Sequence, residues 1–317
     1  MRLILSVTVP IYLLIALGWL AVRGGLFQKA EMRVLGRFVV GICLPALVFN
    51  ALSQRSFAEV LHPGYLAAYA GGSLLVQLGT LLWQHRLRRR TLDEAALRGL
   101  GVSASNSGFA GFPIAQQLIG PVAGVAMALN MLVENLAIIP LALALADNGQ
   151  QPQSRVWTGI VFSLKGLLRN PLIQGILAGL ACALVGWKPP EPVARTVALM
   201  STASSPLALF LIGGTLAGLQ IRGKLLREVA QVVFGKLVLM PAAVFALLWL
   251  LPPIDPLLRT AAVLFAAMPM LSVYPVLAQK YHHEDFCAAA LLVTTVMSFF
   301  TISALIWVMG EQGGWLP

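Results

Sequence analysis

Charge is what this sequence has least of. Acidic and basic residues together make up 11% of the 317 residues, where a soluble domain carries about 25%. Histidine is scarcer still, with four in the chain, and there are three cysteines. Cys43, Cys182 and Cys287 each stand alone in an apolar run. Nothing in their spacing suggests a zinc site or a disulfide framework, so they read as small buried apolar residues. Catalytic signatures are missing too. The chain has no G-x-S-x-G, no H-E-x-x-H and no phosphate-binding G-x-x-x-x-G-K-[ST], which argues against a hydrolase, a metalloprotease and an ATP-driven pump on this chain. What fills the sequence is hydrocarbon: 58% hydrophobic residues and a mean hydropathy of +0.83. No soluble core could hide that much, so the chain reads as an all-α membrane protein that crosses the bilayer many times. The net charge of +10 fits cytoplasmic loops rather than nucleic acid.

A spanning helix needs about 20 apolar residues. Runs with little or no charge fall at 3–22, 38–54, 63–84, 99–119, 121–146, 170–187, 196–221, 229–254, 260–279 and 286–309, which predicts ten spans. The first is too long for a signal-peptide core and has no clear small-x-small cleavage site, so it reads as a retained span. Gly120-Pro121 is the only turn signal between the fourth and fifth. The seven tryptophans sit at run ends or outside the runs, where an interfacial aromatic belt would be. With the N-terminus outside, the inner loops hold fifteen Lys and Arg against five outside. That bias predicts an inner (plasma) membrane protein with both termini on the outer side.

The chain also repeats itself. Pro10 is followed by Gly18 and Pro171 by Gly179, eight residues on in each case. Pro10 to Pro45 and Pro171 to Pro206 are both 35 residues, and Pro113 and Pro275 follow at 103 and 104. One offset superposes spans one to five on spans six to ten. Five is odd, so the halves enter the membrane from opposite sides, giving a 5+5 inverted repeat of the secondary-transporter kind. The halves are expected at 1–147 and 155–317, joined by a polar linker at 148–154. Residues 155–169 suggest an amphipathic surface helix.

Two spans carry helix breakers. Span four holds Asn106-Ser107-Gly108-Phe109-Ala110-Gly111-Phe112-Pro113, and span nine holds Met268-Pro269-Met270-Leu271-Ser272-Val273-Tyr274-Pro275. Proline removes an amide donor and glycine adds freedom beside it. Paired breaks at matching repeat positions point to a substrate site near the membrane midplane. Unwound backbone must face protein or a water-filled cavity. The half-helix starts there favour an anion such as a carboxylate, while the half-helix ends offer carbonyls to a cation or proton donor.

Glu134 lies mid-span between Asn130 and Asn135. An intramembrane carboxylate is expensive and commonly functional. It suits proton coupling, or it serves as a structural partner, with Lys236 of span eight as the candidate. Lys236 itself reads as a pairing or snorkelling residue, or as an attractant for an anion. Arg37 reads as a snorkelling residue, and Asn50, Gln77 and Gln174 as interhelical hydrogen bonders. Tyr281-His282-His283-Glu284-Asp285 imitates a metal cluster, but consecutive side chains diverge, and it reads as a solvated loop. HRLRRR at 85–90 reads as a positive-inside anchor.

The segment SNSGFAGFPI resembles the N-x-G-x-x-G-x-P signature of the auxin efflux carrier family, which includes bacterial malonate and malate permeases. RNPLIQGILAGL at 169–180, SSPLALFLIGGTLAG at 204–218, KLVLMP at 236–241 and AAMP at 266–269 are similar to later parts of that family. The resemblance spans essentially the whole chain. It implies a fold like the sodium–bile acid symporters and NhaA-type transporters, with spans four and nine crossing at their breaks. Spans one, two, six and seven would form a scaffold and the rest a transport domain. It further implies elevator-like movement of organic anions, often by dimers, and site residues at Asn106, Gly108, Gly111, Pro113 and Pro269. The short central linker matches bacterial members. Pro275 is an extra break beyond the family's usual Met-Pro, and members often have Asn where Ser272-Val273-Tyr274 stands.

The reading is therefore a cofactor-free secondary carrier of a small organic anion. Its candidate binding residues are Asn106, Gly108, Gly111, Pro113, Asn130, Glu134, Asn135, Pro269, Ser272, Tyr274 and Pro275, with Glu134 and Lys236 as coupling or ion-pair residues. A sodium symporter of the bile-acid type would place acids at the breaks, and neither break has one. A membrane sensor would carry an added soluble domain, and the tail beyond Met309 is eight residues.

Overall fold

A computed structural model describes residues 2–55, 62–150, 169–217 and 226–311. The expected surface helix at 155–169, all but its last residue, and most of the linker lie outside this set. Twelve helices follow one another: α1 Arg2–Arg23, α2 29–53, α3 Pro63–Leu87, α4 Leu92–Ser103, α5 107–119, α6 Val122–Gln150, α7 Pro171–Val185, α8 Glu191–Leu216, α9 226–250, α10 Pro256–Ala266, α11 Tyr274–Ala278 and α12 Glu284–Glu311. Every regular element among the described residues is thus a helix. Among the described residues the sole extended pairing is a single antiparallel contact between Ser105 and Met270.

Six helices are long and apolar enough to cross a bilayer unaided: α2, α3, α6, α8, α9 and α12. Val9–Arg23, Pro171–Val185 and Pro256–Ala266 are apolar but shorter. The fourth and ninth expected runs are interrupted in the middle, which is why neither yields one long helix. α4 begins at Leu92, seven residues before the uncharged run, so that Asp93, Glu94 and Arg98 belong to the helix. Helix starts follow ordinary capping chemistry. Asn170 Oδ1 accepts from Leu172 N–H at 3.0 Å ahead of Pro171. Asp255 Oδ1 accepts from Leu257 and Leu258 N–H at 2.9 and 3.2 Å ahead of Pro256. The turn between α5 and α6 is made by Gly120 at φ +63°, where a side chain would be strained.

The helices pack in two groups. In one, α1 lies along α8 and α2 lies between α7 and α8. Glycines let these backbones touch. A Cβ on Gly18 would stand 1.9 Å from Phe210 O, and one on Gly213 would stand 1.8 Å from Ile15 O. Gly175 and Gly179 bring α7 close to α2, where added Cβ atoms would stand 2.8 Å from Pro45 O and 2.9 Å from Leu52 Cβ. In the other group, α3 packs on α4 and α9, α4 on α6, α10 on α6 and α9, and α11 on α12. The two groups meet mainly through α2 with α6, α8 with the start of α5, and α1 with α5 and α12.

Five widened turns, with hydrogen bonds one residue longer than in an α-helix, interrupt the helices at Val39–Cys43, Trp83–Leu87, Ser107–Gly111, Glu134–Ile138 and Gly235–Leu239. Such turns re-aim side chains and recur at functional sites. Glu134 and Lys236 both sit in one.

Candidate functional site at the crossing of two broken helices

The first break is short. α4 ends at Ser103, Ala104 is extended, and α5 begins at Ser107. The second runs from Ala267 to Val273, between α10 and α11. The two interrupted segments cross and hydrogen-bond to each other: Asn106 N–H donates to Pro269 O at 2.8 Å, beside the Ser105–Met270 pairing. The backbone groups that lipid could not satisfy are thus spent across the crossing. Pro275 does not add a second interruption. It stands in the first turn of α11, where a missing amide costs nothing.

Asn106 secures the crossing with its side chain as well. Nδ2 donates to Ser272 Oγ at 2.7 Å, and Oδ1 accepts from Phe109 N–H at 3.2 Å. Its carbonyl takes the amides of Ala110 and Gly111 at 3.2 and 2.9 Å. Three amides of the first turns of α5 are therefore occupied by Asn106 rather than held open.

Behind the crossing lies a fully buried charged network. Glu134 Oε1 accepts from Tyr69 Oη at 3.0 Å, Ser105 N–H at 3.0 Å and Ser107 Oγ at 3.1 Å. Lys236, 0% exposed, donates from Nζ to Ser105 Oγ at 2.6 Å and to Ala266 O at 3.2 Å. Ser105 thus joins acid and base, which form no direct ion pair. Beside them Tyr65 Oη donates to Asn130 Oδ1 at 2.9 Å. The expected partnership of Glu134 and Lys236 takes this bridged form. Ser105, Ser107, Tyr65 and Tyr69 belong to the network without having been singled out from sequence.

The other candidates scatter. Asn135 Nδ2 turns back on its own helix, donating to Met131 O at 2.8 Å. Tyr274 is buried with Oη on Leu97 O at 2.9 Å. A Cβ on Gly108 would meet Met131 Cε, and one on Gly111 would meet Phe265, both at 2.7 Å; these glycines serve close packing. Pro113 is buried in the first full turn after the widened one. Gln77 does bond between helices, to Ile138 O at 2.9 Å, whereas Asn50 accepts from Gln54 one turn away in α2.

On the open side of the crossing is a cavity of about 760 Å³, inside the usual size range of ligand sites. Asn106, Phe109, Ser272 and Pro275 form its inner wall, and α2, α8 and α12 supply the rest. It therefore lies between the two helix groups. Among the described residues its ionisable lining is Arg33 and Arg37 alone, one turn apart on α2. Both are exposed, and neither has an ion-pair or hydrogen-bond partner among the described residues. Sequence counting treats Arg33 as a loop charge and Arg37 as a lipid anchor; here both face the cavity. Their i, i+4 spacing was the available signal. Beyond the crossing, Ile11, Tyr12, Ile15, Ile114 and Ile302 close around Pro269 and leave only about 10 Å³.

Ion pairs gather near the ends of α4 and α9. Arg98, 2% exposed, pairs with Glu94 at 2.7 Å and with Glu228, and lies 4.2 Å from the Phe286 ring. Arg90 bonds Glu228 at 2.7 Å. Arg98 is thus not a loop charge; two carboxylates offset its burial. The Tyr281–Asp285 segment is also less solvated than its composition suggests. Tyr281 is buried and donates to Asp147 Oδ1 at 2.8 Å, and His283 lies 3.5 Å from Asp93. Among the described residues no group of three or more potential ligands could hold a metal.

Two crossing helix breaks, a buried polar network and a cavity between two helix groups define a polytopic membrane protein with an open cavity at its helix crossing. The chain belongs to the membrane transport protein family, that of the auxin efflux carriers, whose sequence profile matches residues 3–308. It is 30% identical over 318 residues to a protein of Rhizobium meliloti (strain 1021) named "Putative malonate transporter", covering 99% of this chain and 98% of that one. It is 24% identical over 305 residues to "Uncharacterized transporter YfdV" of Escherichia coli (strain K12), covering 94% and 95%.

Proposed function

We propose that the chain is a secondary carrier of a small organic anion, a mono- or dicarboxylate, working by alternating access. One observation carries the reading: among the described residues, the cavity that ends at Asn106 and Ser272 has two arginines without a partner in its lining and no carboxylate. A pocket of that charge draws anions and rejects cations. The malonate named for the Rhizobium relative is a small dicarboxylate of the kind such a pocket would suit.

The architecture we propose around it is ten spans in two inverted halves of five. α1 and α7, α2 and α8, α3 and α9, the broken pairs α4–α5 and α10–α11, and α6 and α12 would be the equivalents. The reciprocal glycines of α1, α2, α7 and α8 support a rigid scaffold, against which the second group would move as an elevator. The arginine-rich ends would face the cytoplasm, with both termini outside, so the cavity opens inward with its outer side sealed at Pro269.

The test is uptake of labelled malonate into proteoliposomes by the native chain and by Arg33→Gln, Arg37→Gln and the double variant. Each single loss should raise KM about tenfold, the worth of one charge-assisted hydrogen bond, with kcat changed less. An unchanged KM in the double variant would refute the arginine cavity as the anion site.

A further inference from the structure

The two helices that wall the cavity, α2 and α8, run antiparallel. Gly214 of α8 packs on Met32 of α2, and Gly36 of α2 packs on Leu211 of α8, so the numbering falls along one as it rises along the other. The cavity takes the first half of α2, from Met32 to Gly41, and the last turns of α8, from Leu211 to Leu216. The two helices also match residue for residue. α2 begins at Lys29 and α8 at Glu191, an offset of 162, whereas Pro45 and Pro206 stand 161 apart. The widened turn at Val39–Cys43 accounts for the difference, because its longer hydrogen bonds fit one extra residue into α2 and α8 has no such turn. Ahead of that turn the offset of 162 holds, and it sets Arg33 on Arg195, each the fifth residue of its helix. Arg195 is exposed and, like Arg33, has no ion-pair or hydrogen-bond partner among the described residues. It stands 16 residues before Leu211, about 24 Å along the helix, at the end of α8 away from the cavity.

With both termini outside, that end faces the outer side, where basic residues are scarce and an arginine needs a reason. Alternating access between inverted halves supplies one. A cavity open inward uses the first half of α2 and the last turns of α8, so its outward equivalent uses the first half of α8 and the last turns of α2. Arg195 then takes the place of Arg33. We propose that Arg195 is the outer anion contact of the carrier, the guanidinium that meets a substrate carboxylate when the cavity opens outward. This contact rests on the carrier reading and its inverted halves. Both arginines belong to the group of α1, α2, α7 and α8, so they are fixed charges at the two ends of one track. The ends are not equal. Arg37 falls on Leu199 and Lys29 on Glu191, so the outer site has one arginine, with an acid one turn before it, where the inner has two. A dicarboxylate is therefore held more weakly from outside.

The test offers labelled malonate, malate, lactate and indole-3-acetate to each face in turn, using right-side-out and inverted membrane vesicles. For an acid that the native chain carries, Arg195→Gln should raise the KM of the outer face about tenfold, the scale of one charge-assisted hydrogen bond. The KM of the inner face should stay within about twofold. Arg33→Gln should do the reverse, and Arg195→Lys should keep most of the outer affinity. Charge rescue separates an anion contact from a structural role. In Arg195→Cys, with Cys43, Cys182 and Cys287 replaced by alanine, aminoethyl methanethiosulfonate restores a positive charge and should lower the outer KM several-fold. The sulfonatoethyl reagent, which adds a negative charge, should not. An outer KM indifferent to Arg195→Gln, a KM that rises equally on both faces, or equal rescue by the two reagents would overturn the proposal and leave the carrier reading standing. If the native chain carries none of the acids from either face, the carrier reading fails and takes this contact with it.

Discussion

Asn106 holds the crossing from both ends of its side chain. One amide hydrogen goes to Ser272 on the opposite break, and the carbonyl oxygen caps Phe109 in its own half-helix. Alanine would cut both while leaving the backbone bond to Pro269 in place. The expected result for Asn106→Ala is a folded protein whose transport falls by about tenfold or more, the scale of two buried hydrogen bonds. Unaltered binding and transport would remove Asn106 from the site. Asn106, Glu134 and Lys236 were legible in the sequence because a charged or amide side chain in a long apolar run needs a reason. Ser105, Ser107 and Tyr69 were not, since hydroxyls in membrane helices ordinarily satisfy themselves on their own backbone, as Ser103 and Thr294 do here. Only the fold, by crossing the two breaks in front of α6, turns the Tyr69 and Ser107 hydroxyls and the Ser105 N–H onto one carboxylate. Arg33 and Arg37 were hidden for the opposite reason: a cation near the inner end of a span already has an explanation in the lipid headgroups.

At the scale of elements, breaks and close contacts do different work, and glycine and proline serve both. The breaks were legible as breaker-rich segments inside two apolar runs. Their lengths were not, because a proline in sequence can end one helix or start the next; Pro113 stands just after the widened first turn of α5 and Pro275 in the first turn of α11. The glycine contacts between α1 and α8 were visible only as a repeat landmark at Gly18. Gly18→Leu would drive a side chain into the Phe210 carbonyl, 1.9 Å from its Cβ, with a cost at or above the roughly 1–3 kcal/mol of an overpacked core. Gly79→Ala, with nothing within 4 Å of the added carbon, should be neutral or stabilising by up to about 1 kcal/mol. Thermal unfolding in detergent distinguishes them. Equal unfolding temperatures for the two variants would contradict a scaffold sealed by backbone contact.

For the whole molecule, two helix groups enclose one cavity between them. The group of α1, α2, α7 and α8 is joined backbone to backbone, while the group holding the crossing keeps its buried charges beside polar or charged partners. Glu134 and Lys236 balance each other, Arg98 is balanced by Glu94 and Glu228, and Lys280 bonds Asp147. Moving that group with an anion bound would carry the anion's charge. The most direct measurement is therefore the current across a proteoliposome membrane when malonate, malate, lactate or indole-3-acetate is applied, with and without sodium. The account predicts a saturable current with at least one carboxylate, unchanged when sodium is replaced by choline. Silence with every acid in both salts, or a current that appears only with sodium, would contradict it.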